Sequence, residues 1–331
     1  MLRVVSDKAA IKRYAALFNK KFKSFVDEEI KVRLGHQGAG FPAKVAWSKK
    51  LGIWKFSKTV KEVRYWNAFG VERPGGHHVL SIAAEINFPW KEIDRKIGGA
   101  FAEDHWGNVF VIHRGKIGGG KKGVGKSLFE EQYRGVWSHM EDGDSISPVA
   151  IIGELKSEHF ALQAAQFVKK IEKLKSAASS VQMEINFSEI TFREELVGGT
   201  SCLPEDEIAF ACEHDVVVAE LASALGRMNI RSGNDAQSDL FVYDAAENRI
   251  SHFFEVVTSA AEKNVMAAVG RLMLMRADGA HLQPVLVLPE EKTKIYAERL
   301  HRVHIAVVGF HWQQDKAVFS GLDKIKPDSR F

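Results

Sequence analysis

The spacing of apolar residues changes along the chain. Over residues 8–33, Ala9, Ile11, Tyr14, Leu17, Phe18, Phe22, Phe25 and Ile30 recur near every 3.6 positions, which predicts a helix. Residues 35–42 are a Gly-rich break. From 43 to about 115 alternation takes over and predicts strands at 44–47, 52–56, 63–66, 79–88 and 109–113. A Gly/Lys loop at 118–125 leads to a helix near 127–133, a buried strand at 148–153 and a long helix near 158–175. The small, polar run 176–180 is the predicted boundary, giving domains 1–178 and 179–331. Beyond it, 183–187 and 190–192 read as short strands. Pro204 and the acidic residues after it open a helix over about 205–227, where proline and carboxylates suit a helix start. Strands follow at 238–243 and 252–258, then a helix at 260–276, a strand at 283–288, a helix at 290–301 and strands at 305–311 and 316–320. An extra edge strand fits at 229–231. This succession predicts an α/β C-terminal half with a central mixed sheet, preceded by an α+β domain.

Composition narrows the class. No apolar run in the 331 residues reaches the roughly 18–20 needed to span a bilayer, so no membrane role is expected. Cys202 and Cys212 are the only cysteines, which argues against a disulfide framework or a Cys-based zinc site and fits a cytoplasmic, reducing home. The charge is unevenly spread. Residues 1–175 hold 31 Lys and Arg against 19 Asp and Glu, net +12, while residues 176–331 hold 15 against 23, net −8. A basic half joined to an acidic one points to a polyanionic partner for the first.

Two neighbouring strands of the acidic half each carry a carboxylate suited to metal. Asp239 opens the first, in Ser-Asp-Leu-Phe-Val-Tyr-Asp. Glu255 lies late in the second, in His-Phe-Phe-Glu-Val-Val-Thr-Ser. A carboxylate within so apolar a strand is costly to bury unless paired or bound to metal. Antiparallel pairing across the turn 244–251 brings the two side by side. This layout, over about residues 205–290, resembles the PD-(D/E)XK (restriction-endonuclease-like) nuclease superfamily, whose core runs helix, three-stranded meander, helix, strand.

The resemblance implies Mg²⁺ or Mn²⁺ held by Asp239 and Glu255 with the Val256 carbonyl, joined by a first-helix carboxylate, Glu213 or Glu220. Phosphodiester hydrolysis needs such an ion to polarise the phosphate and supply hydroxide. One position departs from the pattern. Two residues after the glutamate, where the family has lysine, stands Val257. Three accounts stay open: a cation from the next helix, Lys263 or Arg271, takes the lysine's place; the site binds metal and nucleic acid but cuts poorly; or the fold is a scaffold. Arg271 sits in Gly-Arg-Leu where similar domains tend to carry Gly-Gln-Leu. The catalytic set expected is therefore Asp239, Glu255, Lys263 and Arg271, in a DNA endonuclease, with RNA left open and a homodimer possible for a duplex cutter. The alternative is a catalytically inactive DNA-binding protein.

In the basic half, residues 120–127, Gly-Lys-Lys-Gly-Val-Gly-Lys-Ser, fit the P-loop pattern, with strand before and helix after. Too few residues follow for a complete NTPase sheet, so an NTPase ranks third. The reading that suits the loop better is a phosphate grip in which Arg114, Lys116, Lys121, Lys122 and Lys126 follow a nucleic-acid backbone. Arg64, Trp66 and Arg73 are added as candidates for stacking or hydrogen-bonding a base. His77, His78, His105 and His113 match no zinc spacing.

Overall fold

The computed structural model describes the 331-residue chain except residues 37–38, 76–78, 119–124, 180–190, 236–237, 245–246, 260, 278–281 and 326–331. The chain divides into two units. One comprises Met1–Met183 and Gly198–Cys212, the other Glu184–Val197 and Glu213–Phe331.

In the first unit, β1 (Leu2–Val4) leads to α1 (Lys8–Lys21), capped by Asp7, whose carboxylate accepts from the Ala10 N–H at 2.7 Å. The helix expected over 8–33 stops there. A 3₁₀ turn, Lys23–Phe25, intervenes, and the chain turns extended as β2 (Glu28–His36). The reason is a change of period: Ile30, Val32 and Leu34 alternate with Lys31 and Arg33, and the apolar set packs on one face. Next come β3 (Ala39–Ser48), β4 (Ile53–Val60), β5 (Arg64–Gly70), β6 (Val79–Leu80), β7 (Ala84–Glu85) and β8 (Phe88–Pro89). The single strand expected at 79–88 is thus three short ones. They form a sheet ordered β6-β2-β3-β4-β5-β7, with β8 also on β5.

The chain continues through β9 (Gly99–Glu103), β10 (Val109–His113), α2 (Lys126–Gln132), β11 (Val136–Asp142), β12 (Ser145–Glu154) and α3 (Phe160–Ser179). Strands β1, β11, β12, β10 and β9 close into a barrel in that order, filled by Leu2, Ala102, Phe110, Ile112, Met140 and Ile151 among others. The run expected to break at 176–180 is helical as far as Ser179, and the strand expected at 183–187 lies outside the described residues.

α4 (Glu205–Arg227) opens with Glu205, Asp206 and Glu207, which suit the positive end of the helix dipole. The second unit then runs β13 (Ser232–Gly233), β14 (Leu240–Asp244), β15 (Arg249–Val256), α5 (Glu262–Ala277), β16 (Gln283–Pro289), α6 (Glu290–Arg302), β17 (Ala306–Gln313) and β18 (Lys316–Ser320). Its sheet follows chain order. β13–β14–β15 is an antiparallel meander, β16 and β17 run parallel to β15, and β18 returns antiparallel.

Both faces of this sheet are covered, so its central strands are apolar on both sides. Val217, Val218, Leu221 and Leu225 of α4 pack with Leu240, Val242, Phe254, Val256, Val285 and Val287. Val265, Ala268 and Leu272 of α5, with Leu300 of α6, pack with Val257, Leu286 and Leu288. The second unit is therefore a mixed α/β fold. Among the described residues no helix is long and apolar enough to cross a membrane.

Candidate active site

The register of β14 on β15 sets Leu240 opposite Phe254 and Phe241 opposite Phe253. Asp239, one residue before β14, is thereby carried to the level of Glu255. The Val256 N–H donates to Asp239 Oδ2 at 2.8 Å, which fixes the carboxylate against the end of β15. Glu255 is 2% exposed and points to the α5 side of the sheet, between Phe253 and Val257 by strand alternation.

A cation meets it there. Arg271 of α5 donates to Glu255 Oε2 from Nε at 2.8 Å and from a terminal guanidinium nitrogen at 2.7 Å. Helix periodicity explains the aim. Ala268 and Leu272 are buried against this face, so the side chain between them in the helical net reaches the sheet edge. Val257, 5% exposed, contributes to the same apolar cluster instead of reaching the carboxylates. Lys263 is an exposed residue in the first turn of α5; the cation on Glu255 is Arg271.

On the other flank, His214 of α4 places Nε2 3.1 Å from Asp239 Oδ2 and Nδ1 3.5 Å from Asp215 Oδ1. The resemblance implies a carboxylate from α4, Glu213 or Glu220. The α4 side chain hydrogen-bonded to Asp239 is the neighbouring histidine. Its only signal in the sequence is the polar trio Glu213-His214-Asp215 set between Cys212 and three valines.

The electrostatics follow from this crowding. Burial alone would lower the His214 pKa, but the Asp239 carboxylate, with Asp215, overrides it and holds the group at about 10, so the ring is an imidazolium at neutral pH. Burial and the adjacent Asp239 push Glu255 up to about 7, against the pull of Arg271 and His214. Burial opposes the charge on Arg271, yet Glu255 and Asp239 hold its pKa above the ordinary value. The described hydrogen bonds end on one oxygen of each carboxylate, Asp239 Oδ2 and Glu255 Oε2. Among the described residues no group of three or more His, Cys, Asp or Glu side chains is gathered as a metal-holding set.

The described residues expected to grip nucleic acid each have partners within the protein. Arg114 is 9% exposed and committed inward: Nε donates to Asp142 Oδ2 at 3.0 Å and a terminal nitrogen to the Ile97 carbonyl at 3.3 Å. Trp66 is 7% exposed, packs with Phe41 and Phe56 and donates to Glu85, so it is a core residue rather than a stacking platform. Arg64 lies over its ring at 5.5 Å. Arg73 is exposed and pairs with Glu28 at 3.0 Å. Lys116 is exposed, with Nζ 3.1 Å from the Arg95 carbonyl, and Lys126 pairs with Glu130 at 3.4 Å one turn along α2. Lys121 and Lys122 lie outside the described residues, as do His77 and His78. The strand before the P-loop-like segment, β10, has antiparallel neighbours, β9 and β12. A phosphate-binding loop of the NTPase kind springs from a parallel sheet, so this setting opposes that reading.

Comparison with protein-family models, with curated proteins and with solved structures finds no match to the chain.

Proposed function

We propose that this chain is a metal-dependent endonuclease hydrolysing DNA phosphodiesters, with Arg271 taking the part of the lysine that Val257 displaces. The observation that carries the reading is the meeting of Asp239, Glu255 and the Arg271 guanidinium at one place, with two guanidinium nitrogens within 2.8 Å of Glu255. The order α4, β13, β14, β15, α5, β16, with β16 parallel to β15, supports it, because it follows the helix, meander, helix, strand succession of PD-(D/E)XK cores.

The donor set suits a hard divalent ion. Asp239 Oδ1 and Glu255 Oε1 stand outside the described hydrogen bonds, and by resemblance the Val256 carbonyl joins them for Mg²⁺ or Mn²⁺. Burial first, and then the neighbouring Asp239 carboxylate, raise the Glu255 pKa; a cation relieves the repulsion between the two carboxylates. When bound, such an ion polarises the phosphate and brings hydroxide within reach at neutral pH. The chain's own residues do the rest. His214 and the Val256 N–H hold Asp239 in one orientation. Arg271, 52% exposed, keeps N–H groups beyond those on Glu255 to donate to a phosphate oxygen as charge builds there.

A second reading, a nucleic-acid-binding protein without catalysis, is favoured by the burial of Val257 and by an ion pair that already neutralises Glu255. The experiment that separates them incubates the protein with unmodified and modified plasmids and Mg²⁺ or Mn²⁺, beside Glu255→Ala. Metal-dependent cutting lost in the variant supports the endonuclease. Binding without cutting on every substrate supports the second reading.

A further inference from the structure

The positive excess of the first half is not evenly spread. Residues 1–64 hold 16 Lys and Arg against 5 Asp and Glu, net +11, whereas residues 65–175 hold 15 against 14, net +1. Arg114, Lys116 and Lys126, the grip residues expected on sequence grounds, belong to the balanced part. The basic part builds α1 and the strands β2, β3 and β4.

The registers of those strands gather its charge on one face. Lys31 of β2 pairs directly with Lys44 of β3, and Arg33 stands two residues from Lys31 on the same side. Ala46 of β3 pairs with Lys55 of β4, so alternation adds Lys55 and Ser57 to the face that Lys44 occupies. Ile30, Val32 and Leu34 point the other way, into the apolar cluster. Lys31, Arg33, Lys44 and Ser57 are all exposed.

The face is electrostatically incomplete. Like charges directly opposite on paired strands are unfavourable. Lys44 is relieved by an ion pair with Glu29, but among the described residues Lys31 has no ion-pair partner. Behind the row, Lys55 donates to Asn19 of α1 and to Ser57 with no acid beside it, and burial pushes its ammonium down to about 7. Ser57 is held in turn, 2.8 Å from Asn67 Oδ1 and 3.0 Å from Asn19 Oδ1. A sheet face that sets Lys31, Arg33, Lys44 and Lys55 against the single carboxylate of Glu29 carries more cation than counter-charge and is completed by a chain of anions.

We propose that this face of β2–β4, bordered by α1, is a binding site for the phosphate backbone of nucleic acid, with Lys31, Arg33 and Lys44 on phosphates and the Ser57 hydroxyl beside them. It rests on the reading of the chain as acting on DNA and names the surface that holds the substrate. Contacts of this kind carry no base preference, so binding here is independent of sequence.

The test is fluorescence anisotropy of a labelled DNA duplex with the full chain in chelator, over a series of salt concentrations. Lys31→Glu/Lys44→Glu is compared with wild type and with Lys116→Gln/Lys126→Gln, each checked for folding by circular dichroism. The milder Lys31→Gln/Lys44→Gln serves if the charge reversal unfolds. The expected result is a loss of about 10-fold or more in affinity at moderate salt and a salt slope reduced by about 2 for the Lys31/Lys44 variants, with the Lys116/Lys126 variant unchanged. Affinity and slope unchanged in folded Lys31/Lys44 variants, or no wild-type binding at low salt, would overturn the proposal. So would anionic vesicles competing better than unlabelled duplex, which would assign the face to a membrane. Chelator removes cutting from the readout. A wild type that binds through this face yet never cuts plasmid with Mg²⁺ therefore sinks the endonuclease reading and leaves this one standing.

Discussion

Arg271 closes on a single oxygen of Glu255, Oε2, with two nitrogens at 2.7 and 2.8 Å. The pair joins α5 to the end of β15 and sets a permanent cation beside a carboxylate that Asp239 crowds from the other side. Removing the guanidinium by Arg271→Ala is expected to lower metal-dependent cleavage by about 10²–10³-fold, the usual effect of deleting one preorganised donor at a developing charge. Arg271→Lys keeps the charge but not the forked geometry and is expected to fall between the two. Single-turnover cleavage of plasmid measures both.

A lysine placed at position 257, where PD-(D/E)XK domains carry one, is not expected to repair the loss. Val257 packs against Val265, Ala268, Leu272 and Leu286, so Val257→Lys buries an ammonium in an apolar cluster. The expected cost is more than about 2 kcal/mol of stability, read from the urea midpoint, with no gain in cleavage in an Arg271→Ala background.

On the proposed reading, His214 acts through Asp239 rather than on a substrate. Its ring holds Asp239 Oδ2 at 3.1 Å, as partners behind metal ligands do. His214→Ala is expected to weaken Mn²⁺ binding by about 10–100-fold in a calorimetric titration while leaving the fold intact. Unchanged Mn²⁺ affinity would remove His214 from the site.

Gly270 precedes Arg271 in the middle of α5, and a Cβ built there meets nothing within 4 Å. Packing therefore does not require the glycine, and Gly270→Ala is expected to stabilise the second unit by about 0.5–1 kcal/mol through helix propensity. A gain in the thermal midpoint with cleavage retained is the expected outcome.

Acid sensitivity belongs to the first unit. His113 is buried on β10, its Nδ1 accepts from the Gly115 N–H at 3.0 Å, and burial lowers its pKa to about 4, with Arg114 adding to the effect against a hydrogen bond the ring donates to the Glu85 backbone carbonyl. The ring is neutral in the folded state and protonates near 6.5 when unfolded, so the unfolded chain binds the extra proton. Stability is full above about pH 6.5 and is lost as pH falls toward 4, by roughly 3 kcal/mol. Six of the seven tryptophans lie within residues 1–137, so tryptophan fluorescence in urea follows this unit. His113→Gln is expected to flatten the dependence between pH 6.5 and 4.

What the sequence made legible follows from how local each signal is. Strands at 283–288 and 305–311, and the helix between them, carry continuous apolar runs or a clear 3.6 period, and they lie within a residue or two of their places. Residues 28–36 misled because Phe22, Phe25 and Ile30 fit a helical spacing while Ile30, Val32 and Leu34 fit a strand. Strand β9, written Gly-Ala-Phe-Ala-Glu, is too small and weakly patterned to stand out before its barrel partners supply the pairing. At the site, the Asp239 and Glu255 pairing followed from one hairpin. His214 did not, because its partner is 25 residues away. Arg114 was misjudged for the same reason: Asp142, 28 residues on, turns it inward.

The central claim is that Asp239, Glu255 and Arg271 act as one catalytic unit. Single-turnover cleavage of plasmid with Mg²⁺ by wild type, Glu255→Ala, Arg271→Ala and the double variant tests it most directly. The account predicts metal-dependent cutting by wild type, a loss of at least about 100-fold in each single variant, and a double variant little worse than either, because groups that act together do not lose rate additively. A wild type that binds DNA but never cuts it, or an Arg271→Ala variant that cuts as fast as wild type, would contradict it.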